Sequence, residues 1–384
     1  MAEDPKFTEG LRDAIVGKSR ICDVNGEEGK LIYAGYDIHD LAQHTTFEEV
    51  VFLLWHGALP TQTELDALNA DLEAHRALPP AALSVLKALP VATAPPMDAL
   101  RTAVSLLGLY DPDTGDDTPA ANARKAVRLT AQMGTVVTAL ARLKAGQEPV
   151  APKAGLHTAA NFLYQLKGEE QTALEAHALD VALILHADHE LNASTFAARV
   201  TIATLTDIYS AVVSAIGALA GPLHGGANVN VMRTLEKISG QGDAATAVTE
   251  MLAAGQKIPG IGHAVYKALD PRAVSLREMS RQLAEARGDR HWFDLSEAVQ
   301  QAADKALAAK GKSTLKANVD FFSASVYHML GIPTEQFTPV FALARIAGWT
   351  AHILEQLENN KIMRPRAIYV GPRDLRVVPL AERN

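Results

Sequence analysis

Cysteine is nearly absent from this chain of 384 residues, in which Cys22 is the only one. A single cysteine excludes an internal disulfide and every metal site built from several thiolates. Aromatic residues make up only 5% of the sequence, while alanine and leucine dominate the stretches between prolines. This composition favours helices over sheets.

The chain also has no excess of basic charge, because its formal net charge is −8 at pH 7. Phosphate contacts need a basic face, so a general nucleic-acid-binding protein is disfavoured. The longest apolar run, residues 208–223, is shorter than the ~20 residues that a membrane span requires. Residues 1–20 show no secretory or transit pattern. We therefore expect a protein of the reducing cytoplasm without nucleic-acid or membrane partners.

Most local signals are helical. Thr46 is followed three residues later by an acid, the spacing of a capping box, and Thr338 with Pro339 predicts the N-cap and first residue of a long helix. Residues 20–36 contain short β-branched pieces around an Asn-Gly turn. The final 20 residues read as extended. These patterns predict an all-α fold with minor β structure near the N-terminus.

One stretch, "LHADHELNAS" at 185–194, has the spacing of half a metal site. His186 and His189 would lie on one face of a helix with Asp188 between them, so a metal-dependent hydrolase is one hypothesis. The rest of the sequence supplies no convincing third ligand. We therefore predict no metal site, a substrate contact for His189, and a packing or supporting role for His186.

Two arginines stand where a positive charge is unfavourable. Arg345 lies in an apolar helical sequence without an acid at helix-neighbour distance, and burying an unpaired guanidinium is costly. Arg272 follows Asp270 and Pro271 in the first turn of a helix, where the dipole opposes a cation. For Arg345 the partner is either a buried ion pair or an anionic ligand. For Arg272, an anion or a plain N-cap motif accounts for the pattern.

Two glycine-flanked histidines and one aspartate complete the set. His224 stands at the expected start of a helix, whose N–H groups would keep it neutral and able to donate a hydrogen bond to an oxyanion; a helix cap is the alternative. His263 is open to close approach by a ligand. Asp320 either caps an apolar helix or acts as a base. Together these residues form an acid–base and anion-binding set.

Four segments of the chain, with their order along it, resemble the citrate synthase family. They are the His-x-Asp-His-Glu run, the Gly-Pro-Leu-His-Gly segment, the Gly-x-Gly-His and Asp-Pro-Arg pair, and the Asn-Val-Asp that precedes a helix, at 186–190, 221–225, 260–272 and 318–320. The similarity extends to residues 25–42 and 347–372, so it covers nearly the whole chain. The resemblance is to the bacterial dimeric type of this family.

The resemblance implies a helical fold with a large domain formed by residues 1–225 and 332–384. A small helical domain, residues 226–331, would be inserted between these parts and close over the substrates. It also implies a reaction, the condensation of acetyl-CoA with oxaloacetate and water to give citrate and CoA. No cofactor is needed besides the substrates.

The resemblance further implies a role for each matching residue. Asp320 would remove the methyl proton of acetyl-CoA, His224 would stabilise the enol oxygen, and His263 would protonate the oxaloacetate carbonyl. The implied oxaloacetate-binding residues are His189, His263, Arg272, Phe341, Arg345 and Arg364, with Arg364 donated by the partner in a homodimer. The implied CoA-binding residues are Lys257, Ile261, Gly262 and Lys267.

Two positions depart from the common bacterial pattern and leave the acyl substrate open. Ala264 replaces an arginine after His263, and Lys316-Ala317 replaces Tyr-Pro before Asn-Val-Asp. The nearest alternative is 2-methylcitrate synthase, which uses propionyl-CoA. This substrate is larger than acetyl-CoA by about one methylene, a difference that a pocket discriminates only weakly. A non-catalytic helical scaffold is a further alternative.

Overall fold

The structure is a computed structural model that describes residues 8–11 and 14–383. Within these residues the chain forms sixteen α-helices and one three-stranded sheet. The predicted all-α fold with minor β structure near the N-terminus is therefore confirmed.

The first eight helices precede the loop that contains His189. They are α1 (Ile38–His44), α2 (Phe47–His56), α3 (Gln62–His75), α4 (Pro80–Ala88), α5 (Pro96–Leu109), α6 (Pro119–Lys144), α7 (Thr158–Lys167) and α8 (Ala173–His186).

Eight more helices follow that loop. They are α9 (Ala193–Ile202), α10 (Ile208–Leu219), α11 (Ala227–Gln241), α12 (Ala244–Ala253), α13 (Pro271–Arg287), α14 (His291–Ala309), α15 (Val319–Met329) and α16 (Phe337–Glu358). Short 3-10 turns stand at Glu9–Leu11, Thr334–Gln336 and Leu380–Glu382.

The sheet lies where the sequence predicts β structure. Strands β1 (Cys22–Asn25), β2 (Lys30–Tyr33) and β3 (Tyr36–Asp37) pair antiparallel in chain order. The fully buried Tyr33 extends from this sheet, and its hydroxyl donates to the Asp188 carbonyl oxygen at 2.9 Å and accepts from the Asp188 N–H at 3.1 Å. The small sheet thus supports the loop after α8.

The predicted helix starts are confirmed at one position and wrong at another. Thr46 forms a complete capping box with Glu49 at the start of α2. Thr338, however, does not cap α16, because the preceding 3-10 turn leads directly into the helix at Phe337. The Thr338 hydroxyl instead donates to the carbonyl oxygen of Gly225 at 3.0 Å.

Helix α16 is the central helix of the fold and packs against α2, α6, α8, α9 and α10. Together with the turn before it, this helix is long and apolar enough to cross a membrane, but 94% of its most apolar window is buried inside the protein. Such burial is typical of the core helix of a globular fold.

Helices α13 and α15 pack against each other, and both contact α8. The loops before α9, α11, α13 and α15 therefore meet α8 and α16 in one region. The division into residues 1–225, 226–331 and 332–384 stays a prediction.

Candidate active site

Three aromatic side chains from two distant loops meet beside the end of α8. The His189 ring lies 5.3 Å from the His263 ring and 5.5 Å from the Tyr266 ring, measured between centroids. The Nε2 of His189 is 3.1 Å from the Tyr266 hydroxyl. Burial, reinforced by the positive charge of Arg272, lowers the pKa of His189 well below its usual value. His189 is therefore neutral at neutral pH.

Local hydrogen bonds define the tautomer of His263. Its Nδ1 accepts from the backbone N–H groups of Val265 at 3.0 Å and Tyr266 at 3.2 Å. A nitrogen that accepts two backbone donors carries no proton, so the proton of the neutral ring lies on Nε2. Burial lowers the pKa of His263 to about 4, and Arg272 contributes to the shift. His263 is thus a neutral hydrogen-bond donor through Nε2.

His224 has the opposite tautomer. Its Nε2 accepts from the backbone N–H of Ser194 at 3.3 Å and lies 2.8 Å from the Ser194 hydroxyl oxygen. The proton of the neutral ring is therefore on Nδ1. Burial, followed by the charge of Arg345, lowers the pKa of His224 to about 4.

The N–H group that contacts His224 does not come from the helix that the sequence predicts to begin beside it. Residues 221–226 form turns, and α11 begins only at Ala227. The N–H that meets the imidazole belongs to Ser194 in the first turn of α9. The helix that contacts the ring thus precedes it by 30 residues.

Ser194 joins His224 to the central helix. Its hydroxyl oxygen accepts from Nε1 of Trp349 at 3.1 Å and lies 2.8 Å from Oδ1 of Asn192. Ser194 and Trp349 are both fully buried. This arrangement fixes the position of the His224 ring from behind.

Asp320 lies in the first turn of α15 but is not its cap. Asn318 is the N-cap, and its Oδ1 accepts from the Asp320 N–H at 3.0 Å. The carboxyl group of Asp320 is thus free for another role. The residue as a whole is only partly buried, but protein atoms surround its carboxyl group. This burial raises the pKa of Asp320 to about 6, against the opposing charge of Arg272.

Arg272 has its counter-ion within the same motif. Its Nε and Nη2 donate to the two carboxylate oxygens of Asp270 at 2.9 and 2.8 Å. Asp270 also caps α13 and accepts from the Val319 N–H at 3.0 Å. Asp270, rather than a ligand alone, compensates the arginine and joins the starts of α13 and α15.

Arg345 is buried on α16 with only part of its guanidinium satisfied. Its Nε donates to the His186 carbonyl oxygen at 2.7 Å, and the group lies 4.8 Å above the Phe341 ring. Nη1 has no hydrogen-bond partner among the described residues. Burial lowers the pKa of Arg345, while Asp188 opposes that shift. A guanidinium in this state is suited to binding an anion.

Phe341 connects the two histidine-bearing sides of the site. Its ring lies 4.9 Å from that of His186 and 6.3 Å from that of His224. Residues 341 and 345 are one turn apart, so Phe341 and Arg345 present the same face of α16.

The residues of the metal hypothesis have other partners. Nδ1 of His186 donates to the Ala182 carbonyl oxygen at 2.7 Å, and Asp188 faces Nε2 of His352 at 3.3 Å. Within residues 8–11 and 14–383, no three His, Cys, Asp or Glu side chains are grouped so that they could hold a metal ion.

The four candidate CoA-binding residues lie on or beside one loop. Ile261 forms an isolated bridge with Ala317, and the Gly262 N–H donates to the Lys316 carbonyl oxygen at 2.7 Å. Lys257 and Lys267 are exposed, and Lys267 pairs with Glu27 in the turn between β1 and β2.

Arg364 does not join the other candidates within this chain. It is exposed on the extended segment after α16 and lines a separate cleft of about 850 Å³. Residues 16–20, Leu191 and Phe196 form other parts of this cleft. Leu191 is two residues from His189, so this cleft adjoins the loop that carries His189.

Four residues of this region are missing from the candidates that the sequence predicts. Tyr266 and Trp349 carry no motif signal, since each looks like an ordinary core aromatic. Asp270 is the first residue of the Asp-Pro-Arg motif, but no nearby residue in the sequence predicts its contact with α15. Serine is a common N-cap residue, so Ser194 carries no catalytic signal of its own.

The fold and the geometry define a class of enzyme site. A buried carboxylate with a raised pKa, two neutral histidines of opposite tautomers and two buried arginines suit acid–base chemistry on a small carboxylate. The chain belongs to the citrate synthase family, since the family described as "Citrate synthase, C-terminal domain" matches residues 10–366.

Several curated proteins are similar to this chain over their full length. The citrate synthase of Haloferax volcanii is 48% identical, covering 98% of this chain and 99% of that protein. Citrate synthase 2 of Bacillus subtilis is 46% identical with the same coverages. The 2-methylcitrate synthase 1 of Corynebacterium glutamicum is 40% identical, covering 99% of this chain and 100% of that protein.

Solved structures agree in fold. Citrate synthase from Pyrobaculum aerophilum has a TM-score of 0.90 and 42% identity, covering 97% of this chain and 95% of that one. Citrate synthase from Thermoplasma acidophilum, solved as a ternary complex with carboxymethyl coenzyme A and oxaloacetate, has a TM-score of 0.90 and 30% identity. It covers 98% of this chain and 100% of that one.

Proposed function

We propose that this protein condenses acetyl-CoA with oxaloacetate and water to form citrate and CoA. The observation that carries the proposal is the group formed by the Asp320 carboxylate, two neutral histidines with opposite tautomers, and the buried Arg272 and Arg345. Membership of the family and full-length similarity to citrate synthases support the same reaction.

Enolisation is the first step. Asp320 removes a proton from the methyl group of acetyl-CoA while Nδ1–H of His224 donates a hydrogen bond to the thioester oxygen, where negative charge develops. With its pKa raised to about 6 by burial, Asp320 is still mostly ionised at neutral pH and is a stronger base than an exposed aspartate. One such oxyanion donor typically contributes about 10²–10³-fold to the rate.

Condensation and hydrolysis follow. The enol carbon attacks the ketone carbon of oxaloacetate, and Nε2–H of His263 delivers a proton to the ketone oxygen as the bond forms. Arg272, Arg345 and His189 hold the substrate carboxylates, with Phe341 beside them. Water then cleaves the citryl thioester, releasing citrate and CoA.

The proposal extends to partners and location. Lys257, Ile261, Gly262 and Lys267 would contact CoA, and no cofactor is needed besides the substrates. In a homodimer, Arg364 would complete the oxaloacetate site of the partner subunit. The setting would be the cytoplasm.

The second candidate is 2-methylcitrate synthase. Relatives with this name are 40% identical to the chain, somewhat less than the citrate synthases at 42–48%. Propionyl-CoA is larger by one methylene, which a pocket discriminates by about 1–3 kcal/mol.

Oxaloacetate-dependent CoA release from acetyl-CoA and from propionyl-CoA tests the choice. We expect a kcat/KM at least about tenfold higher for acetyl-CoA, since one methylene corresponds to about 10–200-fold. The isosteric variant Asp320→Asn is the control and should lose turnover with both thioesters by about 10²-fold or more. A preference for propionyl-CoA would establish the second candidate, and full turnover by Asp320→Asn would contradict the mechanism.

A further inference from the structure

One buried tyrosine lies behind the proposed base and has no part in the reaction described above. Tyr327 stands two turns after Asp320 on α15, and residues seven apart share one face of a helix. Its side chain is fully buried. Its ring lies 6.2 Å from the His186 ring and 5.4 Å from the Phe337 ring. A tyrosine hydroxyl at this depth needs a hydrogen-bond partner.

Three buried polar atoms in this region have no partner among the described residues. They are the Tyr327 hydroxyl, Oδ1 of Asp320 and Nε2 of His186. A buried polar atom without a partner destabilises the folded protein, so an arrangement that pairs all three is favoured.

The three atoms are chemically complementary. Because Nδ1 of His186 donates to the Ala182 carbonyl oxygen, its Nε2 carries a lone pair and is an acceptor. The oxygen of an ionised Asp320 is an acceptor as well. The Tyr327 hydroxyl supplies a donor, which one water can pass on by donating to both acceptors.

Helix geometry suits a bridge of this length. Seven residues separate the two Cα atoms by about 10 Å along the axis, and side chains on a helix lean towards its N-terminus. The long Tyr327 side chain therefore reaches back towards Asp320. Burial, followed by the negative charge of Asp320, raises the pKa of Tyr327, so the two side chains lie within electrostatic reach and one water can link them.

We infer that Tyr327 is a positioning residue for Asp320, whose Oδ1 it holds through one buried water shared with His186. The other carboxylate oxygen, Oδ2, then faces the substrate. The inference rests on the proposed function, since it gives Tyr327 a role only if Asp320 acts as the base. A hydrogen bond donated to a carboxylate stabilises its ionised form.

The expected effect is on the pH dependence of turnover. The base must be ionised, so activity falls as the pH drops through the pKa of Asp320, which burial raises to about 6. Removing the hydroxyl removes the group that holds this water, and with the water the hydrogen bond that stabilises the ionised carboxylate, so that pKa rises further. The acidic limb of the profile therefore moves to higher pH.

Other charged groups around the carboxyl stay unchanged when only the hydroxyl is removed. Those that face Asp320 from neighbouring helices are Arg272 and Asp270 at the start of α13 and Arg345 on α16, while His186 on α8 lies beside the Tyr327 ring. Burial lowers the pKa of His186 to about 3, so its ring stays neutral across the measured range.

The test compares wild type with Tyr327→Phe, measuring kcat and KM against pH with the preferred thioester. A hydrogen bond worth about 0.5–1.5 kcal/mol corresponds to a shift of about half a pH unit to one unit. We expect this upward shift in the acidic limb, a kcat several-fold lower at acidic pH, and an unchanged KM for oxaloacetate.

A matched variant separates positioning from loss of any buried hydroxyl. Tyr209→Phe removes a buried hydroxyl that donates to Asp111 at 2.5 Å, away from the site, so it should lower thermal stability without moving the acidic limb. If the limb of Tyr327→Phe superimposes on that of wild type, or if only its stability or KM changes, the inference is wrong. A wild-type protein without condensing activity would instead contradict the proposed function.

Discussion

At the scale of single residues, Arg345 shows how binding and stability compete. Its guanidinium is fully buried on α16, and Nη1 has no partner in the part of the chain that the structure describes. Leaving a buried charge incompletely paired costs free energy in the ligand-free protein. An anion bound to Nη1 would recover this free energy, so the unpaired guanidinium would favour anion binding.

Thermal unfolding with and without oxaloacetate tests this role. At about a hundred times its Kd, a ligand stabilises the folded state by about 2.7 kcal/mol, so wild type should unfold several degrees higher with oxaloacetate. We expect Arg345→Met to lose this increase, because methionine keeps the volume of the side chain but cannot bind an anion.

Arg277→Met is the matched control. Arg277 is a half-exposed arginine on α13 that pairs with Glu297, so its loss should leave the oxaloacetate effect intact. An Arg345→Met variant that keeps the full increase in Tm would show that Arg345 does not bind the substrate.

At the scale of elements, Gly348 allows α16 to lie close to the loop after α8. Phe341, Arg345 and Trp349 recur every four residues and therefore share one face. Gly348 lies beside that face, and its N–H contacts the Ala187 carbonyl oxygen at 3.1 Å. A Cβ at this position would collide with that oxygen and with the Asp188 carboxylate.

Gly348→Ala should accordingly push α16 away from the loop that carries His189. We expect a loss of about 1–3 kcal/mol in the free energy of unfolding, as for other overpacked cores, together with a higher KM for oxaloacetate. Urea unfolding and steady-state kinetics measure the two effects.

Gly240→Ala provides the comparison. Gly240 lies in the last turn of α11 with open space where a Cβ would point, so alanine should leave stability unchanged or raise it by up to about 1 kcal/mol. Equal stabilities for the two alanine variants would refute the close approach of α16.

At the scale of the whole molecule, the predicted homodimer gives a role to the segment after α16. Residues 361–383 leave the body as an extended arm that exposes several large apolar side chains. Arg364 lies at its start, apart from the other candidate oxaloacetate residues of the same chain. In a twofold symmetric dimer, each arm could complete the site of the other subunit. Closure of the predicted small domain, residues 226–331, would then exclude water during enolisation.

Complementation between two inactive variants tests the exchange of Arg364. Co-expressed Asp320→Asn and Arg364→Ala chains would form hybrid dimers with one intact site, built from Asp320 of one chain and Arg364 of the other. Since half of randomly paired dimers are hybrids, we expect about a quarter of wild-type activity in the mixture. Each variant expressed alone is the control and should be nearly inactive. Hybrid dimers that recover no activity would show that Arg364 does not act across the interface.

The sequence alone predicts the features that depend on neighbouring residues. The all-α fold, the strands that begin within residues 20–36 and the capping box at Thr46 follow from local spacing and composition. The predicted extended end is interrupted by the 3-10 turn at Leu380–Glu382. The prediction of an N-cap at Thr338 was wrong, because a 3-10 turn continues the helix towards its N-terminus. No pattern of neighbouring residues predicts that turn.

Only the tertiary structure decides how the site residues are paired. His189 meets Tyr266 across 77 residues, Trp349 meets Ser194 across 155, and Arg345 meets the His186 carbonyl across 159. These contacts set the surroundings of the imidazoles and the burial of the charges. The sequence by itself determines the residue types and the short-range patterns. Proton positions and pKa values depend instead on atoms that only packing brings within hydrogen-bonding distance.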